Sequence, residues 1–200
     1  RMTDGDFVGF LDHDDELTKD ALFEVVRLLN QNPNLDLIYS DEDKMDLNGR
    51  RVAPFFKPDW SPDLLLSMNY VSHFSVVRKS LIDKVGGFRL GFEGSQDYDF
   101  TLRVTESTDK IGHIPKPLYS WRKVPGSAAA SIEAKPFARQ SAKKALREAL
   151  YRRYLEGDVL DGFGRYYRVT YSIRGTPLVS IIIPTKDRVD LLKRCIESIE

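Results

Sequence analysis

Phe7-Val8-Gly9-Phe10-Leu11-Asp12-His13-Asp14-Asp15 is the stretch on which the reading of this chain turns: an uncharged, largely apolar run passes directly into three carboxylates. Such a run, with aromatic and β-branched residues, predicts a strand buried on both faces of a parallel sheet. Ligands of open α/β sheets sit beyond the carboxyl ends of their strands. Asp12 and Asp14, two apart and just past the strand, are therefore expected to aim hard oxygen ligands at one Mg²⁺ or Mn²⁺ that also holds a diphosphate.

The same acids have other readings. Carboxylates suit helix N-termini, so a loop leading into a helix at Thr18 would be acidic for that reason alone. An EF-hand loop counted from Asp12 needs Gly at its sixth position and Glu at its twelfth, where this chain has Leu17 and Phe23, and that reading fails. A phosphatase with an aspartyl nucleophile also places an acidic pair after a buried strand, but Glu16 stands where its motif wants Thr.

Composition bounds the remaining choices. Two hundred residues, 42% hydrophobic and 30% charged, describe an ordinary globular chain of one or two domains. Lys+Arg and Asp+Glu both number 30, so no global field recruits nucleic acid, and charge-driven binding must be local. The single cysteine, Cys195, falls among apolar helix positions and is expected as a small buried hydrophobe in a reducing compartment. The apolar run Leu178 to Ile183 is too short to span a bilayer. Arg1 is not an initiator, and a chain opening almost on a core strand is expected to be a piece of a longer protein.

Outward from the acidic loop, Thr18 is expected to cap a helix whose apolar face is Leu22, Val25, Val26 and Leu29, ended by Asn32-Pro33. Leu35 to Tyr39 follows as a strand discharging into Asp41, Glu42 and Asp43. Ser61-Pro62-Asp63 starts a helix with proline at its first position, and His73 to Val77 is a short strand. Ser80 and Asp83 suggest a capped helix closed by Gly86-Gly87. Another helix begins at Ser95, which puts Asp97 at a positive helix end. Pro115 and Pro117 demote Ile111 to Trp121 to an edge strand and loop. Pro136 to Tyr154 reads as a long basic helix, alternation from Tyr167 to Ile173 as a strand, and Leu178 to Ile183 with the helix after it as a fresh β-loop-α unit. His73 and His113 are expected to be packed or half-exposed rather than liganding, and His13 to point away from the aspartates.

Several segments together resemble the family 2 glycosyltransferases, GT-A fold enzymes that move sugars from nucleotide diphosphates. GDFVGFLDHDDEL resembles that family's strand-to-DxD segment, VGGFRLGFEGSQDYDFTLRV its glycine turn and acceptor-site acidic motif, and PLVSIIIPTKDR its first strand. The resemblance implies an α/β fold with a mostly parallel, Rossmann-like sheet flanked by helices. Because the family's opening strand here follows the catalytic half, it also implies tandem domains. Residues 1–155 would be the metal and acceptor part of a first domain, 156–177 a linker with one strand, and 178–200 the first strand and helix of a second. The fragment alone is then expected to be inactive.

On that resemblance Asp12 and Asp14 match the metal-binding DxD and Asp97 the catalytic base, with Asp15 supporting the loop on the donor side. Gln96 stands where the family usually has Glu, which removes one carboxylate from the acceptor site. Trp121 would stack on acceptor sugar, while Arg122, Thr185 and Asp187 would meet the donor. The implied partners are a nucleotide diphosphate sugar and a glycan or lipid-linked glycan acceptor. The implied chemistry is inverting transfer of a sugar to a growing bacterial cell-surface glycan on the cytoplasmic side of the membrane. A non-catalytic sugar- or nucleotide-binding module on the same fold remains the alternative. Lys135, Arg139, Lys143, Lys144, Arg147, Arg152 and Arg153 make the long helix basic, which reads as a solvated face or as contact with anionic membrane.

Overall fold

In the computed structural model, which describes residues 4–123 and 136–199, the sheet is organised around β3 (Leu37–Met45). Its strand order is β1 (Phe7–Gly9), β5 (Ser75–Arg78), β3, β6 (Ile111–Arg122) and β2 (Glu16–Leu17), with β4 (Arg51–Phe55) also on β3. The β3–β6 pair is parallel, whereas β1–β5, β3–β5, β3–β4 and β2–β6 are antiparallel. The sheet is thus mixed and mostly antiparallel, which corrects the expected parallel arrangement. An apolar run records burial but not the direction of its neighbours, and β5 returns between β1 and β3 against both.

The strand expected to be interior is also corrected. β1 is three residues long and outermost in the described sheet, with Phe7 and Val8 half-buried. Its aromatic residues find other cover: Phe10 packs against Phe88 and Phe100, and the Arg78 guanidinium lies 4.6 Å from the Phe7 ring centre.

β3 runs on through Asp41, Glu42 and Asp43 rather than ending before them, because each acid has an internal partner. Asp41 accepts from the Lys57 backbone N–H at 2.8 Å, Glu42 from Lys57 Nζ at 3.0 Å, and Asp43 from Ser120 Oγ at 2.6 Å. β6 is likewise an inner strand. Ile114 pairs with Ser40 and Pro117 with Asp41, so Pro115 and Lys116 bulge outward, where a missing N–H breaks no ladder bond.

Alternation along β3 sends Ile38 to one face and Tyr39 to the other. Ile38 packs with Ala21 and Val25 of α1 (Ala21–Gln31) and with Leu118. That helix starts after Asp20, not at Thr18, so Ala21 takes a core position while Leu22 and Val26 of the expected apolar face are exposed. On the other face Tyr39 joins Leu65 and Leu66 of α2 (Pro62–Ser67), Leu102 of α4 (Gln96–Thr105) and Leu146 of α5 (Pro136–Arg152). Ala142, Ala145 and Ala149 are small enough to let α5 approach that core closely. α3 (Lys79–Val85) ends at Gly86, whose φ of +80° suits glycine, but it begins before Ser80, which is therefore not its cap.

Arg103 ties this region together: it donates to the carbonyls of Val85, Gly86 and Gly87 and to the Asp99 carboxylate, which is fully buried and also receives Arg89.

The stretch expected as a linker carries a hairpin, β7 (Gly157–Asp161) against β8 (Tyr167–Tyr171), with Val159 buried in the core of α2, α4 and α5. The described basic residues of α5, and Arg153 just beyond it, are used inside the molecule. Arg139 and Lys143 bind Asp161, Lys144 the Gly91 carbonyl, Arg147 the Val159 carbonyl, and Arg152 and Arg153 Glu106. Lys135 lies outside the described residues.

Beyond the hairpin, Leu178 to Ile183 form no strand, and Leu178, Val179 and Ile182 are exposed, as is Cys195 on α6 (Val189–Glu197). Both outcomes correct the expectation of burial. A strand takes its hydrogen bonds from neighbours, and none of the described strands pairs with this run. Among the described residues no helix is long and apolar enough to cross a membrane.

Candidate active site

Past β1 the chain turns instead of continuing extended: the Asp15 N–H donates to the Asp12 carbonyl at 3.2 Å. A turn brings its first and fourth residues together, whereas spacing by two aligns side chains only on an extended chain. The acids that converge are accordingly Asp12 and Asp15, joined by His73, with one potential ligand atom from each lying within 4.8 Å of the others. Asp14, the expected ligand, is outside this group. Its carboxylate lies 3.8 Å from Nδ1 of the exposed His13, and its carbonyl accepts from Arg122 Nε at 2.6 Å.

β6 holds the turn in place. The Tyr119 hydroxyl and the Arg122 backbone N–H each donate to one oxygen of the Asp15 carboxylate, the latter at 2.8 Å. Burial pushes Asp15 up, and those two donors offset part of the effect. The Arg122 guanidinium is committed to the turn, binding the Asp14 carbonyl and the Glu16 carboxylate, so it acts as a clamp and not as an open donor contact.

His73 is packed, as expected of a strand-like segment, but packed into the site. Its ring stacks on Tyr119 at 4.7 Å and lies 5.5 Å from that of Trp121. Its Nδ1 is 3.0 Å from Ser72 Oγ and 3.6 Å from Glu42, and its Nε2 is 3.8 Å from Asp12. Burial alone would lower His73, yet the Glu42 carboxylate outweighs it and the imidazole rises. Burial would raise Glu42, but Lys57 and His73 hold it down at about 2. The wholly buried Lys57 ammonium completes the cluster, donating to Glu42 and to the Val71 and His73 carbonyls.

Asp97 stands in the first turn of α4, where Asn69 Nδ2 donates to its carboxylate at 2.8 Å. The preceding Ser95 sends its hydroxyl to the Ala138 carbonyl instead of capping the helix. Burial pushes Asp97 up; the His73 charge opposes this and the Asp12 charge adds to it. Asp97 therefore feels the charges of two members of the Asp12–Asp15–His73 group. It opens on a cleft of about 460 Å³ lined also by Asn69, Ser72, Trp121, Arg165 and Tyr166.

The expected residues thus divide. Asp12 and Asp15 converge with His73, Asp97 and Trp121 line the cleft beside them, Asp14 and Arg122 shape the turn, and Gln96 is exposed beside Asp97. Thr185 lines a separate groove with Leu192 and Cys195, and Asp187 lines neither this groove nor the cleft. His73, Tyr119, Asn69 and the Lys57–Glu42 pair were not singled out as functional residues from the sequence. Their one signal there is polar and ionisable residues set among apolar ones, which is weak without neighbours in space.

Residues 1–86 match the family model for glycosyl transferase family 2. The chain is 48% identical over 195 residues to O-antigen biosynthesis protein RfbC of Myxococcus xanthus, covering 98% of this chain and 15% of that protein. It is 48% identical over 199 residues to protein y4gI of Sinorhizobium fredii, covering 98% of this chain and 22% of that one. The chain thus spans less than a quarter of the length of these relatives. Among solved structures it is similar to S. aureus TarS 1–349, with a TM-score of 0.48 and 18% identity over 76% of this chain and 48% of that chain. The same TarS region in complex with UDP gives the same values. The match to glycosyl transferase family 2 therefore falls on the segment, residues 1–86, that holds the acidic turn and His73.

Proposed function

We propose that the protein of which this chain is a part is a metal-dependent, inverting glycosyltransferase of GT-A fold. It would move a sugar from a nucleoside diphosphate to a hydroxyl of a growing cell-surface glycan on the cytoplasmic side of the membrane. One observation carries this reading: the half-buried Asp97 carboxylate opens on a cleft shared with Trp121, whose ring lies 5.5 Å from that of His73 in the candidate metal group, and it feels the charges of His73 and Asp12.

Two carboxylates and an imidazole fit a divalent cation, and the imidazole favours Mn²⁺ over Mg²⁺. Asp12, Asp15 and His73 would hold it, and it would supply Lewis-acid stabilisation of the departing diphosphate. The remaining work falls to the chain itself. Asp97 accepts the proton of the acceptor hydroxyl as that oxygen bonds to the anomeric carbon and the bond to the diphosphate breaks. One displacement with one base inverts the centre. A carboxyl raised by burial is a stronger base than an exposed one, and general-base catalysis contributes about 10²- to 10⁴-fold. Trp121 offers a ring for the acceptor sugar at the cleft wall. The relative named for O-antigen biosynthesis supports a glycan acceptor.

The test uses the full-length protein with a panel of UDP-sugars, Mn²⁺ and bacterial surface glycan, reading both nucleotide release and labelled sugar in the glycan. Transfer that stops with EDTA and resumes with Mn²⁺ is the expected result. Nucleotide-sugar binding without transfer would instead support a non-catalytic module.

A further inference from the structure

The hairpin β7–β8 is fixed to the rest of the molecule. Val159 is buried, Tyr167 and Val169 pack on the same core, Arg139 and Lys143 grip Asp161, and the Arg139 guanidinium lies 5.3 Å from the Tyr167 ring centre. Seated in this way, the hairpin delivers Arg165 and Tyr166 into the cleft that holds Asp97. Lys44 of β3 lines the same cleft, with its ammonium 5.5 Å from the centre of the Trp121 ring.

We propose that this cleft takes an acceptor glycan bearing an anionic group, a carboxylate or a phosphate, held by Lys44 and Arg165 while a sugar ring of the acceptor stacks on Tyr166. The proposal rests on the glycosyl-transfer reading and specifies its substrate class. Its support is placement: Lys44 of β3 and Arg165 of the hairpin line one cleft with Asp97, Trp121 and Tyr166, and the charges there agree. Lys44 is pushed down first by burial and then by the nearby positive charges of Arg165 and Lys123, with Glu42 as the opposing charge. Like charges gathered at a half-buried wall repel more strongly than they would in water, and an anion between them relieves that repulsion. Tyr166 is 44% exposed, which leaves ring surface open to the apolar side of a pyranose. Lys44 and Arg165 line the Asp97 cleft, whereas the candidate metal ligands Asp12 and His73 do not, so the pattern points to the acceptor and not to the donor diphosphate.

Calorimetry on the full-length protein tests this with digalacturonate, glycerol 3-phosphate and neutral cellobiose, and with UDP–Mn²⁺ as the donor-side control. At least one anion should bind about tenfold more tightly than cellobiose, and which one does so separates carboxylate from phosphate. Arg165→Ala should remove that preference and leave UDP–Mn²⁺ affinity unchanged. Tyr166→Ala should weaken digalacturonate and not the ringless glycerol 3-phosphate. Both side chains are exposed, and unchanged circular dichroism would show that the variants fold. Equal binding of all three probes, or no binding of any, overturns the proposal. So does an Arg165→Ala variant that loses UDP–Mn²⁺ affinity, since the cations would then serve the donor. Anion preference is read without turnover, so loss of the glycosyl-transfer reading would show separately, as the absence of sugar transfer in the turnover assay above.

Discussion

Tyr119 supports the acidic turn twice: its ring stacks on His73 at 4.7 Å, and its hydroxyl donates to Asp15. The same oxygen accepts the Asp12 backbone N–H at 3.3 Å. Tyr119→Phe keeps the stack and removes both hydrogen bonds. Groups that orient metal ligands are worth about 10- to 100-fold in affinity, so Mn²⁺ binding followed by calorimetry should weaken within that range. Unchanged affinity would mean that the turn needs no support from β6.

The choice between Asp14 and Asp15 is a second test. Asp15→Ala should abolish measurable Mn²⁺ binding, whereas Asp14→Ala should retain it, because the Asp14 carboxylate stands outside the converging group. The reverse result would restore the spacing by two and remove the turn geometry as the organising feature.

These residues also show what a sequence can carry. The apolar run into Asp12, the helix opening at Gln96 with Asp97 in its first turn, and the glycine at the end of α3 were legible because each depends on local chemistry. Strand direction was not, since burial of Val76 and Val77 of β5 looks the same for parallel and antiparallel neighbours. His73, Tyr119 and Lys57 acquire roles only when β3, β5 and β6 are placed side by side, and Tyr119 lies 104 residues from Asp15. The hairpin was half read: alternation marked β8, but the strength of its seat depends on Asp161 meeting Arg139 and Lys143 of α5.

Gly157 gives a test of that seat. A Cβ there would lie 2.3 Å from the Thr170 carbonyl oxygen, which is backbone and cannot swing away. Gly157→Ala should therefore splay the hairpin and cost about 1–3 kcal/mol in urea unfolding. It should also weaken acceptor binding, because Arg165 and Tyr166 move with the hairpin.

Asp99 sets part of the acid stability. Burial would raise its carboxyl, but Arg89 and Arg103 more than offset this and hold it below the ordinary 3.8. A group depressed in the folded state stabilises the fold above its unfolded value, and that contribution is lost as pH falls through the folded value. Wild-type stability should therefore drop below about pH 4. Asp99→Asn should remove this share of the drop and, by taking away the buried carboxylate that Arg89 and Arg103 share, cost about 3–5 kcal/mol at pH 7. Parallel pH–stability curves for the two proteins would contradict this.

The account stands most directly on Asp97 as the base. In the full-length protein, Asp97→Asn should cut sugar transfer by at least about 10²-fold while leaving Mn²⁺ and UDP affinity within about twofold. The wild-type kcat/KM should rise with pH through an apparent value above the ordinary 3.8 of an aspartate, because only the ionised, burial-raised carboxylate accepts the proton. Transfer by Asp97→Asn at a rate near that of the wild type would contradict the mechanism.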